Sequence, residues 1–343
     1  MVAALFATMN FQARIDPEKP ALALAPMDGI TDAPMRALQG ESRAFSFAVS
    51  EFVRVSTDAI PPKVFRREIP EVEAGGLTPT GMPVQVQILG GDPELMAQSA
   101  LNAIQAGATS IDINFGCPAP TVNRHDGGAT ILKYPCRVRD LVRAVRDAVP
   151  AEIPVSAKVR LGWESIDDIY ENAAMAEEGG ASGLTIHART RVQGDQAPGY
   201  WSPIGKVREQ LSIPVVANGD IWTFEDYLRC REETGCMHFM IGRSALANPS
   251  LPYQIAQEMG IREGEIGGIR EPMDWIRLFE RLNTYVEFYR GRTPGRSVAR
   301  LKQWLNLAAR FGGFEHFDAV KRLDSLDELM EKLAVELGVL ARA

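Results

Sequence analysis

The chain is poor in the residues that build covalent staples and metal centres. Its four cysteines (Cys117, Cys136, Cys230, Cys236) form no C-x-x-C pair, and its four histidines (His125, His187, His238, His316) form no H-E-x-x-H cluster. A disulfide scaffold and a structural zinc site both lose ground, no metal is expected, and a reducing cytoplasm fits best. No apolar run approaches the ~18 residues that a membrane helix needs. The apolar opening, Met1 to Met9, lacks a basic leader and a clear cleavage site, which argues against a signal peptide. An excess of positive charge is also missing. The balance of 37 basic against 44 acidic residues gives −7, which on its face argues against a polyanionic partner. That sum covers the whole surface, however, and conceals any local patch.

What the chain does have is bulk. It has 343 residues, 45% hydrophobic and 24% charged, which suit a large α/β barrel with an appendage or two to three ordinary domains. Short β-type runs recur along it: Ala21–Ala25, Phe47–Val53, Val84–Leu89, Ser110–Phe115, Val155–Val159, Leu184–Ile186, Val215–Ala217 and Phe239–Ile241. Several intervals carry helical spacing, over Pro93–Ala106, Arg137–Val149 and Ile166–Glu178. Eight strands alternating with helices imply parallel pairing, because parallel strands need crossovers. An open doubly wound sheet would call for G-x-G-x-x-G after the first strand, where this chain has Ala25-Pro26-Met27-Asp28-Gly29. The expected fold class is therefore α/β, a (β/α)8 TIM barrel over residues 20–256, followed by a small C-terminal all-helical domain over 257–343. Glu258–Arg270 reads as a linker, Trp275–Tyr289, Val298–Phe311 and Leu326–Leu340 as helices, and residues 1–19 as an N-terminal extension.

In such a barrel the chemistry sits at the C-terminal ends of the strands. Those ends carry Asn114-Phe115-Gly116-Cys117-Pro118, Lys158 with Arg160, His187 with Arg189, Asn218-Gly219-Asp220, and Gly242-Arg243, while Gln85 and Gln87 interrupt an apolar strand. Each has an ordinary reading: a buried cysteine, a rim lysine, a core histidine, a plain turn. Their joint occurrence at strand ends favours a site. A buried Gln87 needs partners, and a ligand is one economical explanation. Gly219 and Gly242 permit close backbone approach and Arg243 adds charge, which suits a phosphorylated cofactor such as FMN. Lys158 and Gln87 could then donate to the flavin ring edge.

These residues resemble those of the tRNA-dihydrouridine synthases. The resemblance rests on Ala25-Pro26-Met27, Asn114-Phe115-Gly116-Cys117-Pro118 with Gly127-Gly128-Ala129 downstream, Lys158-Val159-Arg160, His187-Ala188-Arg189-Thr190, Asn218-Gly219-Asp220 and Gly242-Arg243, and it covers most of residues 20–320. Glu51-Phe52-Val53-Arg54-Val55, Lys158-Val159-Arg160-Leu161-Gly162-Trp163 and Ala299-Arg300-Leu301-Lys302-Gln303-Trp304-Leu305 are similar to the C subgroup, which acts on uridine 16 of the D-loop. The resemblance implies an FMN enzyme, reduced by NADPH, that saturates the 5,6 double bond of a uridine in tRNA. It implies hydride delivery to C6 and Cys117 as the general acid at C5. A thiol of pKa about 8.5 is mostly protonated at neutral pH, which suits that role. Pro26, Met27, Gln87, Lys158, His187, Asn218, Gly219, Asp220, Gly242 and Arg243 would surround the flavin. Asn114 and Arg160 would approach the substrate nucleotide, with Arg54, Arg300 and Lys302 as further tRNA contacts. Two departures stand out: Ala188 replaces the family's usual glycine, and residues 194–201 match the subgroup poorly.

A uridine in folded tRNA must be extruded before it can react, at a cost of roughly a few kcal/mol. Phosphate contacts elsewhere would offset that cost. Between Arg281 and Arg310 lie seven basic residues and one acid, Glu287, a net of +6 against −13 elsewhere. A basic helical clamp on an acidic barrel is therefore expected, working as a monomer. Two other readings share some of these residues: a flavin barrel reducing a free pyrimidine or small enone, and a non-catalytic tRNA-binding protein.

Overall fold

In a computed structural model of the protein, residues 15–339 are described, apart from His125, 262–273 and 292–293. Most of the expected linker, Arg292, and the first fourteen residues of the expected extension therefore lie outside the described residues. Among the described residues, nine parallel strands form one sheet: β1 (Ala21–Leu24), β2 (Phe47–Val49), β3 (Val53–Arg54), β4 (Val84–Leu89), β5 (Ile111–Phe115), β6 (Val155–Arg160), β7 (Leu184–His187), β8 (Val215–Asn218) and β9 (His238–Ile241). Neighbours pair in the order β2-β1-β9-β8-β7-β6-β5-β4-β3, and β2 also pairs with β4, which closes the sheet into a barrel. None of the described helices is long and apolar enough to cross a membrane.

The sequence suggested one continuous strand over Phe47–Val53, but the structure divides it. Ala48 and Val49 pair with Val84 and Gln85, whereas Val53 and Arg54 pair with Ile88 and Leu89. The offset between partners falls from 36 to 35, so one extra residue is accommodated between Val49 and Val53. Such a bulge bends the strand and re-aims its side chains. Ser50 holds it: its amide donates to Gln85 O at 2.9 Å, and its hydroxyl accepts from Gln87 N at 3.0 Å. Glu51 and Phe52 are thereby turned into the barrel mouth.

The register also defines the interior. Gln87 pairs with Asp112, Asp112 with Ser156, Asn114 with Lys158, Lys158 with Thr185, His187 with Asn218, Asn218 with Met240, Met240 with Ala23, Ala23 with Phe47, and Val49 with Gln85. Residues paired across parallel strands share a face, so this set lines the lumen. Its β4–β7 side is polar. The β9–β1–β2 side is an apolar cluster that includes Ala21, Ala23, Phe47, Val49 and Met240. Ile15 belongs to that cluster and approaches Gly183, so the last part of the expected extension plugs the N-terminal end of the barrel.

Helices α1 (Ala33–Glu41), α2 (Pro62–Glu68), α3 (Pro93–Ala106), α4 (Pro120–Asn123), α5 (Pro135–Ala148), α6 (Asp168–Glu178), α7 (Ser202–Gln210) and α8 (Phe224–Thr234) fill the crossovers. Their boundaries follow local chemistry. For α3, Asp92 accepts from Leu95 N at 2.9 Å and Gly107 ends the helix at φ 116°. After β9 come α9 (Arg243–Ala247) and α10 (Leu251–Glu258), then α11 (Trp275–Arg290), α12 (Pro294–Gly312), α13 (Phe317–Val320) and α14 (Leu326–Glu336). The tail helices α11 and α12 pack on α1 and α9. Trp304 Nε1 donates to Leu246 O at 2.8 Å, and Phe279, Leu282, Trp304 and Leu305 join the same hydrophobic cluster as the barrel helices.

Candidate active site

The strand C-termini surround a cavity of about 360 Å³. Thirteen of the expected site residues line it: Pro26, Met27, Gln87, Asn114, Cys117, Lys158, Arg160, His187, Asn218, Gly219, Asp220, Gly242 and Arg243. Arg54 lines an adjoining groove of about 290 Å³ that shares Asp28, Glu51 and Phe52 with the main cavity. Arg300 and Lys302 line neither.

Cys117 sits on a turn that Asn114 builds. Asn114 Oδ1 accepts from Gly116 N at 2.8 Å and Cys117 N at 2.9 Å, folding the chain back after β5. A Cβ on Gly128 would lie 3.0 Å from Cys117 O, so the Gly127-Gly128 segment closes under the turn. The half-buried thiol is pushed above its usual range by burial. The Ala119 amide opposes that shift and Asp28 reinforces it. At neutral pH Cys117 carries its proton.

On the strands that follow, from β6 to the turn after β9, the charge is positive. Lys158 Nζ donates to Asn218 Oδ1 at 2.9 Å, and Asn218 Nδ2 donates to Met240 O at 2.8 Å. Burial, aided by Arg160, brings Lys158 down to about 8 against the pull of Asp112. It therefore remains mostly protonated near neutrality. His187 is held well below its usual range by burial and by Arg160, Lys158, Arg189 and Arg243, so its imidazole is neutral. Gly219, at φ 104°, has no room for a side chain, because a Cβ would stand 2.7 Å from His187 Cδ2.

Several expected contacts have partners within the protein. Gln87 is fully buried, and its amide lies between Asp112 Oδ2 at 2.7 Å and Asn114 Nδ2 at 2.8 Å. These two contacts account for Gln87 without a ligand. Asp220, at φ 58°, pairs with Arg189 and locks the turn after β8. Arg160 bonds Gly116 O at 2.8 Å, Gly194 O at 2.9 Å and Thr190 O at 3.2 Å, tying the cysteine turn to the loop after β7. Burial lowers it to about 10, still fully charged at neutral pH. Arg300 bonds Ile30 O at 2.7 Å, Asp32 at 2.8 Å and Gly29 O at 3.0 Å, and Lys302 pairs with Asp324 at 3.0 Å.

The +6 count along Arg281–Arg310 therefore overstates the free charge. Arg281 pairs with Glu41, Arg300 with Asp32 and Lys302 with Asp324, while Arg290, Arg296 and Arg310 are exposed.

Three residues escaped the sequence reading. Asp112, at the centre of the lumen, accepts from Ser156 at 2.6 Å and Gln87 at 2.7 Å, and burial raises its pKa. The signal was available, since Ile111-Asp112-Ile113-Asn114 and Val155-Ser156-Ala157-Lys158 repeat the alternation seen at Gln85 and Gln87. Glu51 lines the cavity and is raised by burial, but its aim depends on the bulge. Trp222 lines the cavity beside Arg243, whose guanidinium lies 5.4 Å from the centre of its ring.

Comparison with known proteins agrees with this geometry. The family model described as Dihydrouridine synthase (Dus) matches residues 23–334. A protein of Shewanella oneidensis named tRNA-dihydrouridine(16) synthase is 44% identical over 84% of this chain and 88% of its own length. One of the same name from Neisseria meningitidis serogroup B is 40% identical over 92% of this chain and 95% of its own. Among solved structures, 2-naphthoyl-CoA reductase superposes with a TM-score of 0.53 at 10% identity, over 73% of this chain and 52% of that one, which shows the fold alone. A match across nearly the whole barrel and tail, joined to the Asn114–Cys117 turn at the barrel mouth, makes this chain a member of the dihydrouridine synthase family.

Proposed function

We propose that the protein reduces a uridine of tRNA, at position 16 of the D-loop, to 5,6-dihydrouridine, with FMN as cofactor and NADPH as reductant. The observation that carries this reading is a protonated thiol and a set of cationic side chains lining one cavity. The residues present fit a phosphorylated flavin. Arg243 supplies a cation where Gly219 and Gly242 draw the walls close, since a Cβ on Gly242 would meet Met27 Sδ at 3.1 Å. Met27 and Ile241 offer apolar surface, and Lys158 offers a donor beside Asn218. When bound, the reduced flavin supplies a hydride.

The chain's own side chains account for the rest. Adding hydride at C6 of a uracil leaves negative charge on C5 and the C4 carbonyl, which a proton donor must quench. Cys117 holds that proton, and Asn114 fixes the turn that presents it. The thiolate left behind regains a proton from solvent. Neutral His187 and charged Lys158 provide donors on the neighbouring strands β7 and β6, where negative charge is stabilised. The extruded base enters past Glu51 and Phe52, while exposed Arg290, Arg296 and Arg310 meet phosphates. Arg160 and Asn114 act on the substrate through the walls they hold rather than as free donors.

The test is to map dihydrouridine in tRNA from a strain lacking the gene, complemented with wild type or Cys117→Ala. Wild type should restore the modification at position 16. Cys117→Ala should keep its yellow colour and NADPH oxidation and lose most of the product. Near-normal product from Cys117→Ala would remove the thiol from the acid role, and a colourless wild type would remove the flavin.

A further inference from the structure

One side chain outside the cavity supports the end that carries Arg243. The Arg243 guanidinium lies 5.4 Å from the ring centre of Trp222 and 5.4 Å from that of Phe311. Trp222 belongs to the turn after β8 and lines the cavity, whereas Phe311 comes from the last turn of tail helix α12 and does not. The two rings stack at 5.1 Å with an interplanar angle of 19°. Arg310 covers Phe311 from a further side, 5.0 Å from the ring centre. Two separate segments, the turn after β8 and the end of α12, thus converge on one guanidinium.

Phe311 is not a core residue that happens to lie near. It is 37% exposed, so its burial contributes little to the hydrophobic cluster. Its position is nevertheless fixed, because neighbouring Gly312 is pressed against the barrel, where a Cβ would lie 2.0 Å from Ala247 O. Arg243 needs such support. An arginine side chain has many rotamers, and the carboxylate paired with this one, Asp195, is 3.5 Å away on an exposed loop. A guanidinium held on aromatic rings keeps its N–H groups free to bind an anion.

We propose that Phe311 is a positioning residue for phosphate recognition: through Trp222 it holds Arg243 where the guanidinium meets the phosphoryl group of the cofactor. This rests on the flavin reading above and deepens it, since it makes the tail helix a part of the cofactor site as well as an RNA-binding element. A purely structural role would affect any ligand of the cavity. A role through Arg243 affects only the phosphorylated one.

The experiment compares FMN with riboflavin, which lacks the phosphate, on full-length protein freed of flavin. Dissociation constants come from quenching of flavin fluorescence for wild type, Phe311→Ala, Phe311→Tyr, Arg243→Ala and the Phe311→Ala/Arg243→Ala double variant. Phe311→Ala should weaken FMN about three- to tenfold while leaving riboflavin unchanged, the range set by a cation–π contact. Phe311→Tyr should restore FMN affinity, and the double variant should be no weaker than Arg243→Ala alone. Equal weakening of both ligands, or additive losses in the double variant, overturns the inference while leaving the flavin reading intact. A wild type that does not distinguish FMN from riboflavin overturns the phosphate assignment and this inference with it.

Discussion

Replacing Lys158 with methionine should make the flavin-free protein more stable at neutral pH and remove part of its response to alkali. The ammonium lies inside the barrel against Asn218 Oδ1 at 2.9 Å, and burial brings its pKa from 10.5 to about 8. At about 1.4 kcal/mol for each tenfold change in proton affinity, keeping it charged costs the native state on the order of 3 kcal/mol. Below pH 8 both states are protonated and the whole cost is present. Between about 8 and 10.5 the unfolded chain keeps its proton while the native state releases it, so stability rises with pH. Methionine removes the charge and forfeits the bond to Asn218, worth about 1 kcal/mol. The expected gain is therefore roughly 1–3 kcal/mol at neutral pH, fading to a small loss in alkali. Urea denaturation of both proteins across this range is the assay, and their difference isolates Lys158 from the other titrating groups. A variant less stable than wild type at neutral pH, or a difference that ignores pH, refutes the buried-charge account. The stability sacrificed here is consistent with a group retained for the site.

Other substitutions test other parts of the structure. Gly219→Ala should destabilise by about 2–3 kcal/mol, read as a lowered Tm, because its φ is 104° and the new Cβ would strike His187. Arg300→Ala should lower Tm through its lost bonds to Gly29, Ile30 and Asp32, yet leave the salt dependence of tRNA binding nearly unchanged. Arg296→Gln with Arg310→Gln should flatten that dependence by about 1.5 in the log–log slope, and an unaltered slope would remove both from the phosphate contacts. Asp195→Asn, which relieves Arg243 of a carboxylate at 3.5 Å, should tighten FMN binding about two- to fivefold in a fluorescence titration.

The barrel was legible because its signal is periodic. Val84–Leu89 and Pro93–Ala106 were found to the residue, since alternation and the Asp92 and Gly107 caps are local facts. The strand-end residues were legible because the fold dictates where the chemistry collects. What could not be read was the partnership of each polar group. Gln87 looked like a side chain in search of a ligand, but its partners Asp112 and Asn114 are 25 and 27 residues further along the chain. Arg300 looked like a free cation, and its partners lie about 270 residues away. The bulge at Ser50–Phe52 was hidden for a related reason: a one-residue change of register appears only when both strands are known.

Two of the contacts by which the tail meets α9 are made to its backbone. Trp304 donates to the carbonyl of Leu246, and Gly312 lies against that of Ala247. Contacts of this kind ignore which side chains α9 carries but do not tolerate its displacement. A tail grafted from a relative should therefore seat on this barrel if it brings the tryptophan, the glycine and the aromatic partner of Arg243 at the same spacing. RNA preference could then change by recombination of whole tails, while insertions near Arg243 would be selected against.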